Sequence, residues 1–182
     1  AGTIIVELNG KAAPVTVRNF LNYVDSRRMN GATFYRAMHL AWGEQPNGLL
    51  QGGARNDPRG ILPPIAHEPT TQTGLTHKAG TISMANGGAG TATSDFFILL
   101  SDMTGLDADP AEGRIGFAAF GKVVVGMDVV RGIWDQPRSP IKGEGVMRGQ
   151  MLEVPVKVVT ARRIATLPPA APSPVTPPPA AP

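Results

Sequence analysis

Gly80-Thr81-Ile82-Ser83-Met84-Ala85-Asn86 and Thr93-Ser94-Asp95-Phe96-Phe97-Ile98-Leu99-Leu100 are short apolar runs separated by the glycine-rich break Gly87-Gly88-Ala89-Gly90. Runs this brief, bounded by turn formers, read as strands rather than helices. The pattern continues outward in both directions, with Thr33–Met38 and Gly48–Gln51 before it and Phe120–Val125 after it. Such spacing predicts an antiparallel sandwich or barrel, and periodicity alone does not choose between them.

The flanks add two helices and two further strands. Thr3–Leu8 is β-branched and apolar, with Ile4, Val6 and Leu8 on one face, and Asn9-Gly10 supplies the turn after it. Ala13-Pro14-Val15-Thr16 opens a helix, because proline near a helix start lacks only an N–H that would have no partner there. Val17, Phe20, Leu21 and Val24 then fall on one face. Arg27 and Arg28 are expected near its C-terminal end, where the helix dipole favours cations. Gly126–Ile133 reads as a second, shorter helix, with Met127, Val130 and Ile133 in register. Val154–Thr160 reads as a last strand, which Pro155 confines to an edge or a strand start.

Composition bounds what such a chain does. Its 182 residues, 42% hydrophobic and 17% charged, suit one globular domain. We expect that domain over 1–165. Residues 166–182 form a Pro/Ala-rich tail that cannot build a core and is expected to be disordered. The formal net charge of +3 comes without a run of five Lys/Arg, so nucleic acid is not an expected partner. No cysteine is present, which excludes disulfides, a thiol nucleophile and thiolate metal sites. No apolar stretch reaches the roughly 18 residues that span a bilayer. His39, His67 and His77 lack ligand spacing and read as loop or surface histidines. Asp102, Asp107, Asp109 and Glu112 match no calcium loop and read as a solvated loop. No metal and no cofactor are expected.

Three ordered segments give the chain a more specific resemblance. The first is Phe34-Tyr35-Arg36, followed by Leu49-Leu50-Gln51-Gly52-Gly53. The second is the pair of runs quoted above. The third is Leu106-Asp107, then Phe117-Ala118-Ala119-Phe120-Gly121-Lys122-Val123-Val124-Val125-Gly126-Met127-Asp128-Val129-Val130. Together with the helix from Ala13, this set resembles the cyclophilin family over roughly residues 2–165. The resemblance implies a mainly β fold, a closed eight-stranded antiparallel barrel capped by two α-helices. It also implies peptidyl-prolyl cis–trans isomerase (rotamase) activity that assists protein folding. Proline-containing polypeptides are then the partners, and a monomer is expected.

That reaction breaks no covalent bond. Amide resonance holds an X–Pro bond planar behind a barrier of about 18–20 kcal/mol. Twisting localises a lone pair on the proline nitrogen, so a fixed cationic donor favours the twisted state over the planar one. The resemblance assigns this donor to Arg36, the hydrogen bond to arginine and substrate to Gln51, and the proline pocket to Phe97. Alternation along the strand then places Phe96 in the core and Phe97 in the pocket. Leu49, Ala85, Asn86, Asp95, Leu106 and Phe117 match substrate-binding positions.

The chain departs from the family where Asp95 replaces glutamine, Phe117 replaces histidine, Gly105 replaces an aromatic residue and Gly48 replaces phenylalanine. The longer loop His39–Asn47 carries Trp42, a candidate to refill the space, although its placement is not read from sequence. These departures motivate an alternative, a low-activity module that binds proline peptides. A third reading makes the tail an adaptor, but its prolines have no adjacent basic residue. Exported bacterial cyclophilins are similar in the aromatic at the histidine position and in the longer Asp107–Gly116 loop. A periplasmic or secreted location is therefore expected, with a cytoplasmic one as the alternative. A chain ending at Ala165 is expected to keep its melting temperature and activity, which thermal denaturation and a protease-coupled X–Pro assay would check; loss of either would show that the tail packs on the domain.

Overall fold

Alternating apolar residues and closely spaced turns produce a single antiparallel sheet. In the computed structural model, which describes residues 2–54 and 60–165, its strands are β1 (Ile5–Leu8), β2 (Thr33–His39), β3 (Gly48–Gly53), β4 (Thr81–Met84), β5 (Phe96–Leu99), β6 (Ala118–Val125) and β7 (Met151–Lys157). Their order is β1-β6-β4-β5-β3-β2-β7. The eight expected strands are thus represented by seven among the described residues. The segment 166–182, expected to be a tail, lies outside those residues.

Among the described residues three α-helices accompany the sheet: α1 (Pro14–Asp25), a one-turn α2 (Thr70–Thr73) and α3 (Met127–Trp134). The sequence reading had two. The turn at Thr70 is too short to carry a helical repeat, and Gly74 ends it with φ of 70°. The last strand begins at Met151, not Val154, and Pro155 lies on the edge strand β7, where a ladder donor is dispensable. Helix α1 ends at Asp25, so Arg27 and Arg28 lie beyond its last turn. Arg27 instead adopts φ of 61° in the reversal that follows.

The main core lies on one face of the sheet. Val17, Phe20 and Val24 of α1 pack with Phe34, Leu50, Ile82, Phe96, Ile98 and Phe120, and with Val130 and Trp134 of α3. Phe20 meets Phe96 edge-on at 5.5 Å and Phe120 at 5.3 Å, and Phe34 meets Phe96 at 5.8 Å. Burying each ring contributes about 1.5–3 kcal/mol.

Ala13 offers α1 no side-chain cap. A carboxylate remote in sequence replaces it: buried Glu68 accepts the backbone N–H groups of Val15 at 3.0 Å and Thr16 at 2.8 Å, and the Thr16 hydroxyl at 2.7 Å. The negative charge also sits at the positive end of the helix. Glu68→Ala strands all three donors and is expected to lower unfolding stability by about 2–3 kcal/mol. Glu68→Gln keeps an acceptor and is expected to lose less. Urea denaturation would check both, and an unchanged midpoint in the alanine variant would refute the capping role.

Candidate active site

In a regular strand, residues two apart share a face. Phe34 and Arg36 do not, because the β2 register slips between them. Phe34 pairs with Gly52 and Arg36 with Gln51, so Tyr35 is the extra residue of a bulge. Phe34 joins the main core, and Arg36 turns to the opposite face.

That face carries one row across the sheet. Arg36 on β2 pairs with Gln51 on β3, Gln51 with Phe97 on β5, and Phe97 with Ser83 on β4. The row is polar at one end and apolar at the other.

At the polar end the half-buried guanidinium is held by neutral groups. Arg36 Nη1 donates to Gln51 Oε1 at 2.7 Å. Arg36 Nε and Nη2 both donate to Gln150 Oε1, at 2.9 and 2.7 Å, and Nη2 lies 3.6 Å from Met38 Sδ. These contacts leave one Nη1 hydrogen, since guanidinium has five N–H groups. Burial pushes the Arg36 pKa down, with the Tyr35 phenol acting in the opposite direction. The group nevertheless stays protonated.

Gln51 is oriented from behind. Its Nε2 donates to Tyr35 Oη at 2.8 Å, and that hydroxyl donates to Asp95 Oδ2 at 2.9 Å. Asp95, expected at the substrate, spends its carboxylate on this chain and on the Ser94 hydroxyl at 3.1 Å. Gly53 makes room for it, because a Cβ there would lie 2.1 Å from Asp95 Oδ1.

At the apolar end Leu49, Phe97 and Leu99 form a second buried cluster, separate from the main core and flanked by Met38, Ala85, Met103, Leu106 and Phe117. Phe97 and Phe117 meet edge-on at 5.4 Å. The Phe117 N–H donates to the Leu106 carbonyl at 3.1 Å, which ties together two of the expected pocket residues. Asn86 follows β4 beside Ala85. Its Oδ1 accepts the Gly88 N–H at 3.1 Å, and its Nδ2 is the one buried side-chain polar atom without a partner among the described residues.

The altered rim positions have structural causes. A Cβ on Gly48 would lie 1.9 Å from the Met38 carbonyl oxygen and 3.3 Å from the Trp134 ring, so phenylalanine does not fit there. Trp42 does not refill the space: it is 68% exposed. The buried indole belongs to Trp134, which donates to the Met38 carbonyl at 2.9 Å and stacks on His39 at 3.4 Å. Gly105 is exposed and has nothing within 4 Å of a built Cβ.

His77 also differs from the surface histidine expected. It is fully buried and stacks on Phe97 at 6.0 Å. Nδ1 faces Asp107 Oδ1 at 2.5 Å and Nε2 faces the Ser83 hydroxyl at 2.9 Å. Only Nδ1–H suits a carboxylate acceptor, so Nε2 accepts from Ser83. Burial pushes the Asp107 pKa up, but bonds from Thr76 and from the side chain and backbone of His77 outweigh it and hold the carboxyl below its usual range. Asp109 and Asp102 pair with protein cations, Arg114 and Lys78.

Sequence reasoning missed Tyr35, Gln150, Ser83 and His77 as parts of this site, and Trp134 as the indole that packs behind it in the main core. Tyr35 lay inside the Phe-Tyr-Arg motif. Gln150 carried no local signal, since only folding brings it to Arg36.

Comparison with known proteins points one way. Residues 1–160 match the family described as cyclophilin type peptidyl-prolyl cis-trans isomerase/CLD. A peptidyl-prolyl cis-trans isomerase of Acinetobacter baylyi is 33% identical over 165 residues, which cover 88% of this chain and 80% of that protein. The peptidyl-prolyl cis-trans isomerase A of Dickeya dadantii is 36% identical over 163 residues, 87% of this chain and 76% of that protein. The crystal structure of a Cryptosporidium parvum cyclophilin type peptidyl-prolyl cis-trans isomerase superposes with a TM-score of 0.62 at 20% identity, over 86% of this chain and 88% of that one.

His77 supplies a pH test. Burial lowers its pKa below the ordinary 6.5 and outweighs the opposing pull of Asp107. As pH falls past 6.5 the unfolded chain takes up a proton that the folded one resists, so stability present above that value drains away below it. His39 is shifted in the same direction by burial, offset in part by the Trp134 carbonyl. Between about pH 7.5 and pH 5 the urea midpoint is expected to fall, and less steeply in His77→Gln. Equal slopes in the two proteins would show that another group titrates.

Proposed function

We propose that Arg36 drives the reaction of this chain, which belongs to the cyclophilin-type peptidyl-prolyl cis–trans isomerase family and accelerates rotation about X–Pro bonds. The observation that carries the proposal is the row Arg36–Gln51–Phe97. It sets a cationic donor and an apolar cluster side by side on one face of the sheet.

The proline ring docks against Phe97, Leu49, Leu106 and Phe117. The preceding carbonyl swings while the ring stays fixed. As the amide twists, the proline nitrogen gains a localised lone pair, and the remaining Arg36 Nη1–H points to it. A rigid guanidinium needs no reorganisation at that moment, so its field favours the twisted state. Asn86, whose Oδ1 is held by the Gly88 N–H, continues the segment beside Ala85 along which the substrate backbone lies. Ala85 leaves room for that backbone. Asp95 acts on the site through Tyr35 and Gln51.

We infer that the sheet curls into a closed barrel. In support, Val6 and Leu8 of β1 and Leu152 and Val156 of β7, from its two ends, pack in the same core. A periplasmic or secreted isomerase that helps proline-containing chains fold is the reading favoured by Phe117 and the long Asp107–Gly116 loop. A monomer suits a substrate site built from one chain.

Arg36→Ala is expected to lower kcat/KM on a short X–Pro peptide by about 10²–10³ with the fold intact. Arg36→Lys is expected to recover part of the loss, because an ammonium lacks the fork. A protease-coupled assay with circular dichroism checks both. Wild-type activity in Arg36→Ala would overturn the mechanism. Peptide binding without turnover in the wild type would favour the binding-module reading that the open position at Gly105 suggests.

A further inference from the structure

The Arg36 guanidinium is gripped along two edges, and only one grip comes from the motif that carries it. Gln51 bonds Nη1, while Gln150 Oε1 takes both Nε and Nη2. Gln150 lies just ahead of β7, whose Met151 pairs with Arg36, and its carbonyl accepts the Ala37 N–H at 2.9 Å. Its own amide is oriented by a bond from Nε2 to the Val146 carbonyl at 2.7 Å. A flipped amide would aim an NH₂ group at the guanidinium and lose both bonds. The loop holding Gln150 therefore fixes which atom meets Arg36.

Both holding groups are neutral, and so is the third neighbour, Met38 Sδ. A carboxylate would grip a guanidinium more tightly, as a bidentate pair. It would also cancel most of the charge that the twisting amide is to feel. An amide oxygen supplies the geometry through its dipole and leaves the net charge in place.

We propose that Gln150 is a positioning residue of the isomerase, holding Arg36 in its catalytic geometry with an oxygen that carries no formal charge. The proposal rests on Arg36 being the donor. It extends the site to a loop 114 residues away in sequence, at the edge of the sheet.

Gln150→Ala and Gln150→Glu separate this role from a structural one. Gln150→Ala frees the guanidinium edge and is expected to lower kcat by about 10- to 100-fold with little change in KM, since a misplacement near 1 Å costs that much. Gln150→Glu retains an acceptor for the same N–H groups but gives up the bond to the Val146 carbonyl, so it is expected to change the melting temperature little, the tighter grip on Arg36 offsetting that loss, yet to lower kcat about tenfold or more by cancelling the charge. A merely structural glutamine would give the opposite result in the glutamate variant, with stability and turnover retained together. Progress curves over a range of X–Pro peptide concentrations, thermal melts and the Arg36 Nε–H resonance read the three quantities. Wild-type kcat in either Gln150 variant, with Arg36→Ala inactive, would overturn the proposal alone. Full activity in Arg36→Ala would overturn the donor assignment beneath it.

Discussion

Because side chains alternate along a strand, Phe34 and Arg36 would share a face in a regular β2, and the bulge at Tyr35 is what parts them. Without it, either the guanidinium would enter the main core or Phe34 would leave it. Burying an unpaired cation costs several kcal/mol, and exposing a core phenylalanine costs about 1.5–3 kcal/mol. The bulge avoids both. It also puts the Tyr35 hydroxyl between Gln51 and Asp95, so one inserted residue sets the side and the orientation of the polar end together.

The polar end is a directed chain of donors. Arg36 donates to Gln51, Gln51 to Tyr35, and Tyr35 to Asp95, where the acceptor-only carboxylate sets the direction of every link. The negative charge ends up two side chains away from the guanidinium. A cation stays available where it is needed, and each buried polar group along the way has a partner.

Close backbone approach explains positions that looked like losses in sequence. Gly48 lets β2 pass with the Met38 carbonyl against it and leaves space for the Trp134 ring. Gly53 admits Asp95. A larger side chain would have to displace β2 at Gly48, or the segment leading into β5 at Gly53. On the main-core side of β2 the space is filled by the helix α3 indole and the histidine stacked on it, not by the exposed Trp42.

Short-range patterning was enough to read the strands, the two longer helices and the division of Phe96 from Phe97, because those follow from periodicity within a few residues. The ordered motifs likewise carried Arg36, Gln51 and the apolar residues of the pocket. The register slip in β2 was not legible, since a bulge is set by partner strands and leaves no mark in Phe-Tyr-Arg. Nor were the Glu68 cap on α1, the burial of His77 against Asp107 and Ser83, or the Gln150 grip on Arg36. Apart from His77 and Ser83, six positions apart, each joins residues 30 or more positions apart, and whether such a polar pair forms depends on which backbone segments the apolar core brings within about 3 Å of each other. The sequence by itself determined which side chains were available for the chemistry, whereas their mutual distances and the faces they occupy were decided only when the sheet assembled around its core.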